Sequence, residues 1–137
     1  MLVKDFDHIV FTVNNIQESI DFYTTNLGFK HLEFKADIDK DVDPLRVRNA
    51  LVFGNKKINL HQRHKEMDPF AQTPTVGSQD LCFILSDDLT VDQAINQLTY
   101  KGIETFGHSN KPGSMGLIES FYIRDPDGNL LEFAKYL

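Results

Sequence analysis

Four residues in this chain carry metal-binding side chains and stand in two pairs of nearly equal interval. His8 is followed after 53 residues by His61, and Asp80 after 52 residues by Glu132. Imidazole and carboxylate donors in this mixture suit iron, zinc, manganese, nickel or cobalt, and two histidines with one or two carboxylates leave positions open for a substrate. Open positions point to catalysis more than to structure. Glu132 stands in the apolar run Leu130-Leu131-Glu132-Phe133-Ala134, where a carboxylate is costly to bury unless it is paired or bound to a cation. His61 is followed by Gln62, Arg63 and His64, which also fits a solvated strand end, and an Asp at the start of a strand such as Asp80 is often a turn residue. Tyr122 fits a packing aromatic or a hydrogen-bond donor to substrate. His31, His64 and His108 read as surface histidines.

The elements that must hold these residues form two copies of one pattern. Phe6 to Val13 reads as a strand, with Ile9, Phe11 and Val13 on one face and His8, Val10 and Thr12 on the other. Asn14 or Asn15 can cap a helix whose apolar face is Ile16, Ile20, Tyr23 and Leu27, and Gly28 stops it. Three strands follow: Phe29 to Phe34, Val47 to Phe53 and Lys57 to Gln62, the last two joined by the hairpin signal Gly54-Asn55-Lys56. The second half repeats the order. Asp80 to Leu85 is its first strand, Thr90 or Asp87 the helix cap, Val91, Ala94, Ile95 and Leu98 the helical face, and Gly102 the stop. Ile103 to Phe106, Leu117 to Arg124 and Leu130 to Tyr136 supply its strands, with the turn Asp125-Pro126-Asp127-Gly128-Asn129 before the last. Laid over one another, the halves match His8 with Asp80 and His61 with Glu132. Residues 37–44 and 108–116 read as long loops of the kind that cover a site.

The bulk composition limits the alternatives. A chain of 137 residues, 41% apolar and 25% charged, can bury a core without staples, so we expect one domain over 1–137. Its first module is expected at 4–62, a linker at 63–78 and its second module at 79–137. The net charge of −6 is spread along the chain without a basic run, which argues against nucleic acid as a partner. No stretch approaches ~18 consecutive apolar residues, and the N-terminus lacks a signal-peptide pattern, so a cytoplasmic protein without a membrane partner is expected. The single cysteine, Cys82, reads as a small buried hydrophobe rather than a nucleophile.

The combined pattern resembles the vicinal-oxygen-chelate superfamily, which includes glyoxalases, bleomycin-resistance proteins and extradiol dioxygenases. The residues that carry the resemblance are Asp7-His8-Ile9-Val10-Phe11-Thr12-Val13, Asp21-Phe22-Tyr23 with Leu27-Gly28-Phe29, Ile58-Asn59-Leu60-His61, and Phe121 to Asn129 leading to Glu132. The resemblance implies an α+β fold of two tandem βαβββ modules forming a half-open mixed β-barrel around a central cavity. It also implies a divalent metal ion (Fe2+, Zn2+, Ni2+, Mn2+ or Co2+) bound by His8, His61, Asp80 and Glu132. Glu132 and Tyr122 are then the catalytic candidates, acting on a small molecule that chelates the metal through adjacent oxygens in a homodimer. The chain departs from the lyases and dioxygenases at Asp80, where they usually have His or Gln, and from the lyases at His61, where they tend to have a carboxylate. Lyase, isomerase and extradiol dioxygenase chemistry all stay open, beside a metal-free binding protein of the bleomycin-resistance type.

Overall fold

In the computed structural model, which describes residues 1–137, the first half packs one helix against one face of a four-stranded sheet. β1 (His8–Val13) runs parallel to β4 (Lys56–Gln62); β3 (Arg48–Phe53) pairs antiparallel with β4 and with β2 (Lys30–Phe34), giving the order β1-β4-β3-β2. Phe11, Val13, Leu51, Ile58 and Leu60 are fully buried on one face, where Ile20 and Tyr23 of α1 (Ile16–Leu27) join them. The Tyr23 ring packs edge-on to Phe11 and against Phe29, which stacks on Phe53. Each such side chain contributes roughly 1.5–3 kcal/mol by leaving water. Asn15 caps α1 by accepting the Glu18 N–H, and Gly28 ends it with φ of 74°, a left-handed conformation that donates its N–H to the Tyr23 carbonyl.

The second half repeats the plan. β5 (Asp80–Ile84) is parallel to β8 (Leu130–Tyr136), followed across the sheet by β7 (Gly116–Arg124) and β6 (Phe106–Gly113), all antiparallel after the first pair. Phe83, Phe121, Ile123, Leu131 and Phe133 form the face covered by α2 (Val91–Tyr100), with Phe133 stacked on both Phe83 and Phe121. Of the two cap candidates Thr90 is the one used, in a reciprocal capping box with Gln93. The chain divides into two compact units, 1–76 and 77–137. No helix is long and apolar enough to cross a membrane.

One reading needs correction. Residues 106–113, Phe-Gly-His-Ser-Asn-Lys-Pro-Gly, are the strand β6, not a short strand followed by a loop. Polar residues, two glycines and a proline are a loop composition, but β6 is the sheet's edge strand, where a proline is tolerated, and pairing with β7 overrides the weak propensity. The 37–44 segment does lack strands; it opens with a 3-10 turn at Asp37–Asp39.

Candidate functional site

Residues directly opposite in a ladder share a face, so the pairings fix which side chains stand together. In the first unit His8 pairs with Lys57, Val10 with Asn59 and Thr12 with His61. All six occupy the face turned away from α1. His8 and His61 are thus on one face of neighbouring strands but four rungs apart, roughly 13 Å along the strand. The Nδ1 of His8 lies 2.7 Å from Asp7 Oδ1. This hydrogen bond holds the Asp7 carboxylate below its ordinary range. A carboxylate behind an imidazole in this way is the usual support for a metal-ligating histidine.

His61 is nearly fully buried, at 4% exposure, and its Nδ1 has no hydrogen-bond partner. Its pKa is lowered, first by burial and next by the charge of Arg48, against a smaller raising effect of Glu66. Asn59, one pleat earlier on the same face, has a buried Oδ1 that is equally unpartnered. Two orphaned polar atoms on one face are unusual, since each costs about 1–3 kcal/mol unless a ligand, water or ion satisfies it. Arg48 is itself committed elsewhere: its Nε and Nη2 donate to the two oxygens of Asp39 at 2.7 and 2.8 Å, joined by Arg46 at 3.1 Å. The guanidinium groups, Arg48 first, hold the Asp39 carboxyl at about 2 and pin the 3-10 turn to β3.

In the second unit the cross-strand partners of Glu132 are Cys82 on β5 and Tyr122 on β7. Ser120 Oγ donates to Glu132 Oε2 at 2.6 Å, and Lys111 Nζ lies 3.5 Å from the same oxygen. Lys111 also donates to the Tyr122 hydroxyl at 2.7 Å and sits 4.2 Å from the centre of that ring. Its pKa is raised, chiefly by the hydrogen bond to Tyr122 and, less, by Glu132. Burial, then the neighbouring Glu132 carboxylate, pushes the Cys82 thiol up to about 11. The Tyr122 ring crosses β6 at Gly107, where a Cβ would lie 2.8 Å from the ring and where φ is +66°. No other residue would fit there without moving the tyrosine.

The structure therefore joins Glu132 and Tyr122 as neighbours and puts Asp80 on their face, but opposite Leu130, two rungs from Glu132. Cys82, expected as a buried core residue, is exposed and occupies the place beside Glu132. Asn59, Ser120 and Lys111 were not singled out by the sequence. The parity of Asn59 with His61 and of Ser120 with Tyr122 was readable; Lys111 lay in a segment read as a loop. His108, read as a surface histidine, is exposed, with its Nε2 2.7 Å from Glu119 Oε2. Asp92 completes a group, exposed at Asp92 and His108 and half-buried at Glu119, in which one donor atom from each of the three lies within 4.8 Å of the others.

Comparison with known proteins gives this arrangement a context. A family model described as Glyoxalase/Bleomycin resistance protein/Dioxygenase superfamily matches residues 5–133. "Virulence protein STM3117" of Salmonella typhimurium is 41% identical over 138 residues, covering 100% of this chain and 88% of that protein. "Glyoxalase domain-containing protein RDO1" of Mycosarcoma maydis is 41% identical over 135 residues, covering 98% of this chain and 69% of that one. The crystal structure of the Salmonella protein superposes with a TM-score of 0.87 at full coverage of both chains. An antibiotic binding protein, TnmS3 from Streptomyces sp. CB03234, has a TM-score of 0.70 at 19% identity over 97% of this chain and 96% of that one, a likeness of fold alone.

Proposed function

Because the chain belongs to the glyoxalase/bleomycin resistance protein/dioxygenase superfamily, we propose that it is a divalent-metal-dependent enzyme acting on a small substrate with two adjacent oxygens. Its metal ligands would be His8, His61 and Glu132, with Asp80 as the fourth candidate. The observation that supports the reading is the pair of buried, unpartnered polar atoms on one face of β4, Nδ1 of His61 and Oδ1 of Asn59, which a bound ligand or ion would satisfy. The support of His8 by Asp7 fits the same donor chemistry.

A first-row divalent metal bound there would supply a Lewis acid for an enolate or catecholate oxygen. The chain's own groups do the rest. In a lyase or isomerase reaction Glu132 takes a proton from the carbon beside a carbonyl and returns it to the neighbouring atom. Ser120, donating to Oε2, fixes the carboxylate for that transfer. In an extradiol dioxygenase reaction Tyr122 donates a hydrogen bond to a catechol oxygen. The same reading carries a homodimer in the cytoplasm, for which light scattering of the purified protein is the first check.

A second reading, a metal-free binding protein, draws on a specific contact: Glu132 already has a cation beside it in Lys111. Elemental analysis of untagged protein separates the two. About one first-row metal per chain, lost in His8→Ala, His61→Ala and Glu132→Ala but kept in His108→Ala, supports the enzyme. Metal that disappears only with His108→Ala belongs to the Asp92, His108 and Glu119 group and sinks the proposal, as does metal-free protein that binds small molecules equally well in the His8 and Glu132 variants.

A further inference from the structure

We propose that the second unit carries a separate metal site on the face of its sheet opposite Glu132: Asp92 of α2, His108 of β6 and Glu119 of β7 bind a first-row divalent ion, Zn2+ by the donor set, which ties the edge strand β6 to the start of α2. The site lies wholly within one unit and does not rest on the metal-dependent reading above.

The register of β6 puts His108 there. Phe106 pairs with Tyr122, so in an unbroken ladder His108 would stand opposite Ser120 and share the face of Glu132. The ladder instead shifts between Phe106 and Ser109, and Ser109 is the partner of Ser120. Gly107 and His108 together therefore oppose Phe121 alone, a bulge that the left-handed φ of 66° at Gly107 allows. The extra residue turns the His108 ring to the other face, where Glu119 and the helix stand, and its Nε2 lies 2.7 Å from Glu119 Oε2. Bulges next to functional sites re-aim side chains in this way. Asp92 comes from a third element, the first turn of α2.

One imidazole and two carboxylates are donors that Zn2+ takes, and their two negative charges match that of the ion. The three donor atoms lie within 4.8 Å of one another. Zinc bonds of about 2.0–2.2 Å set tetrahedral donors roughly 3.4 Å apart, so the group closes by at most about 1.4 Å. Asp92 and His108, both at the surface, make that move by small changes of side-chain torsion. With three ligands open to solvent the ion exchanges readily and is lost on gel filtration, so it adds nothing to the metal counted in purified protein. Its effect falls on β6. The helix packs chiefly on β7 and β8, and β6 has a neighbouring strand on one side only. The ion therefore steadies the strand from which Lys111 reaches Tyr122 and Glu132.

The test titrates Zn2+ by calorimetry into the protein as purified, for the wild type, Asp92→Asn, His108→Ala and Glu119→Gln, with His61→Ala beside them. The wild type and His61→Ala should take up the ion with a dissociation constant on the order of 10 µM, and the other three variants should bind it at least about tenfold more weakly. Zn2+ should also slow amide hydrogen exchange over residues 106–113 in the wild type and leave it unchanged in His108→Ala. No uptake by the wild type, equal affinity in the wild type and His108→Ala, or uptake lost in His61→Ala and kept in His108→Ala overturns the site. Asp92→Asn exchanges a surface carboxylate for an amide of the same shape, so weaker binding there reports a lost ligand rather than a lost fold, and far-UV circular dichroism checks each variant. Elemental analysis of the purified protein tests the metal reading above, so either can fail alone.

Discussion

Replacing Asn129 by alanine should destabilise the protein by about 3–5 kcal/mol, whereas the same change at Asn59 should cost less than about 1 kcal/mol or stabilise the metal-free protein. Asn129 is fully buried in the turn before β8. Its Oδ1 accepts the Gln79 N–H at 2.9 Å, and its Nδ2 donates to Asp125 Oδ2 at 2.8 Å. Truncation leaves the Gln79 backbone donor unpaired and takes one hydrogen bond from the buried Asp125 carboxylate, at roughly 1–3 kcal/mol each and more where the group is charged. The other Asp125 oxygen still accepts the N–H groups of residues 127 and 129, so the turn is weakened rather than abolished. In a chain of this length that corresponds to a fall in melting temperature of about 10–15 °C, read by far-UV circular dichroism. Asn59 Oδ1 has no partner to lose, so its removal relieves a buried unsatisfied acceptor. A residue kept at a cost to stability is what a binding site leads one to expect. Equal losses in the two variants, or a loss below about 1 kcal/mol for Asn129→Ala, would refute the assignment of one asparagine to structure and the other to ligand.

The remaining predictions concern titrating groups. The imidazole of His61 has its pKa lowered from 6.5 by burial, so the unfolded chain takes up a proton that the folded one resists. The metal-free protein should therefore lose stability as pH falls below 6.5, and His61→Leu should flatten that part of the profile, measured as urea midpoints at about pH 7.5 and about pH 5.5. An unchanged slope in the variant would show that His61 is not desolvated. For Cys82, a thiol pushed up to about 11 should react slowly with iodoacetamide near neutral pH although the residue is exposed, and Glu132→Gln should speed the reaction. Mass spectrometry of the alkylated protein gives both rates, and equal rates would mean that the carboxylate does not act on the sulfur.

Much of the fold was legible because local chemistry and global pattern agree. The four, three and four spacing of Ile16, Ile20, Tyr23 and Leu27 marks a helix that is bounded as expected by Asn15 and Gly28. Gly54-Asn55 makes the hairpin between β3 and β4, and the turn residues from Asp125 to Asn129 lead into β8. What escaped was β6, whose polar residues carry no strand signal of their own. An edge strand has a partner on one side only, and its residues answer to pairing and solvent more than to burial. Lys111 was lost with it, since a residue assigned to a loop has no face.

The limit at the candidate site is one of rungs rather than faces. Intervals of 53 and 52 residues suggested that His61 corresponds to Glu132, but the ladders say otherwise. Val10 pairs with Asn59 in the first unit as Cys82 pairs with Glu132 in the second, so Asn59 holds the rung equivalent to Glu132 and His61 that of Ala134. Because side chains alternate with a period of two, a slip of two residues leaves the face unchanged and shifts the position by roughly 7 Å. Alternation in a sequence reveals the face; the rung depends on which backbone groups pair. That difference bears on chemistry. Of the two equivalent rungs one carries an amide and the other a carboxylate, so of this pair of positions only Glu132 offers a base, and Ser120 and Lys111 both bear on its Oε2.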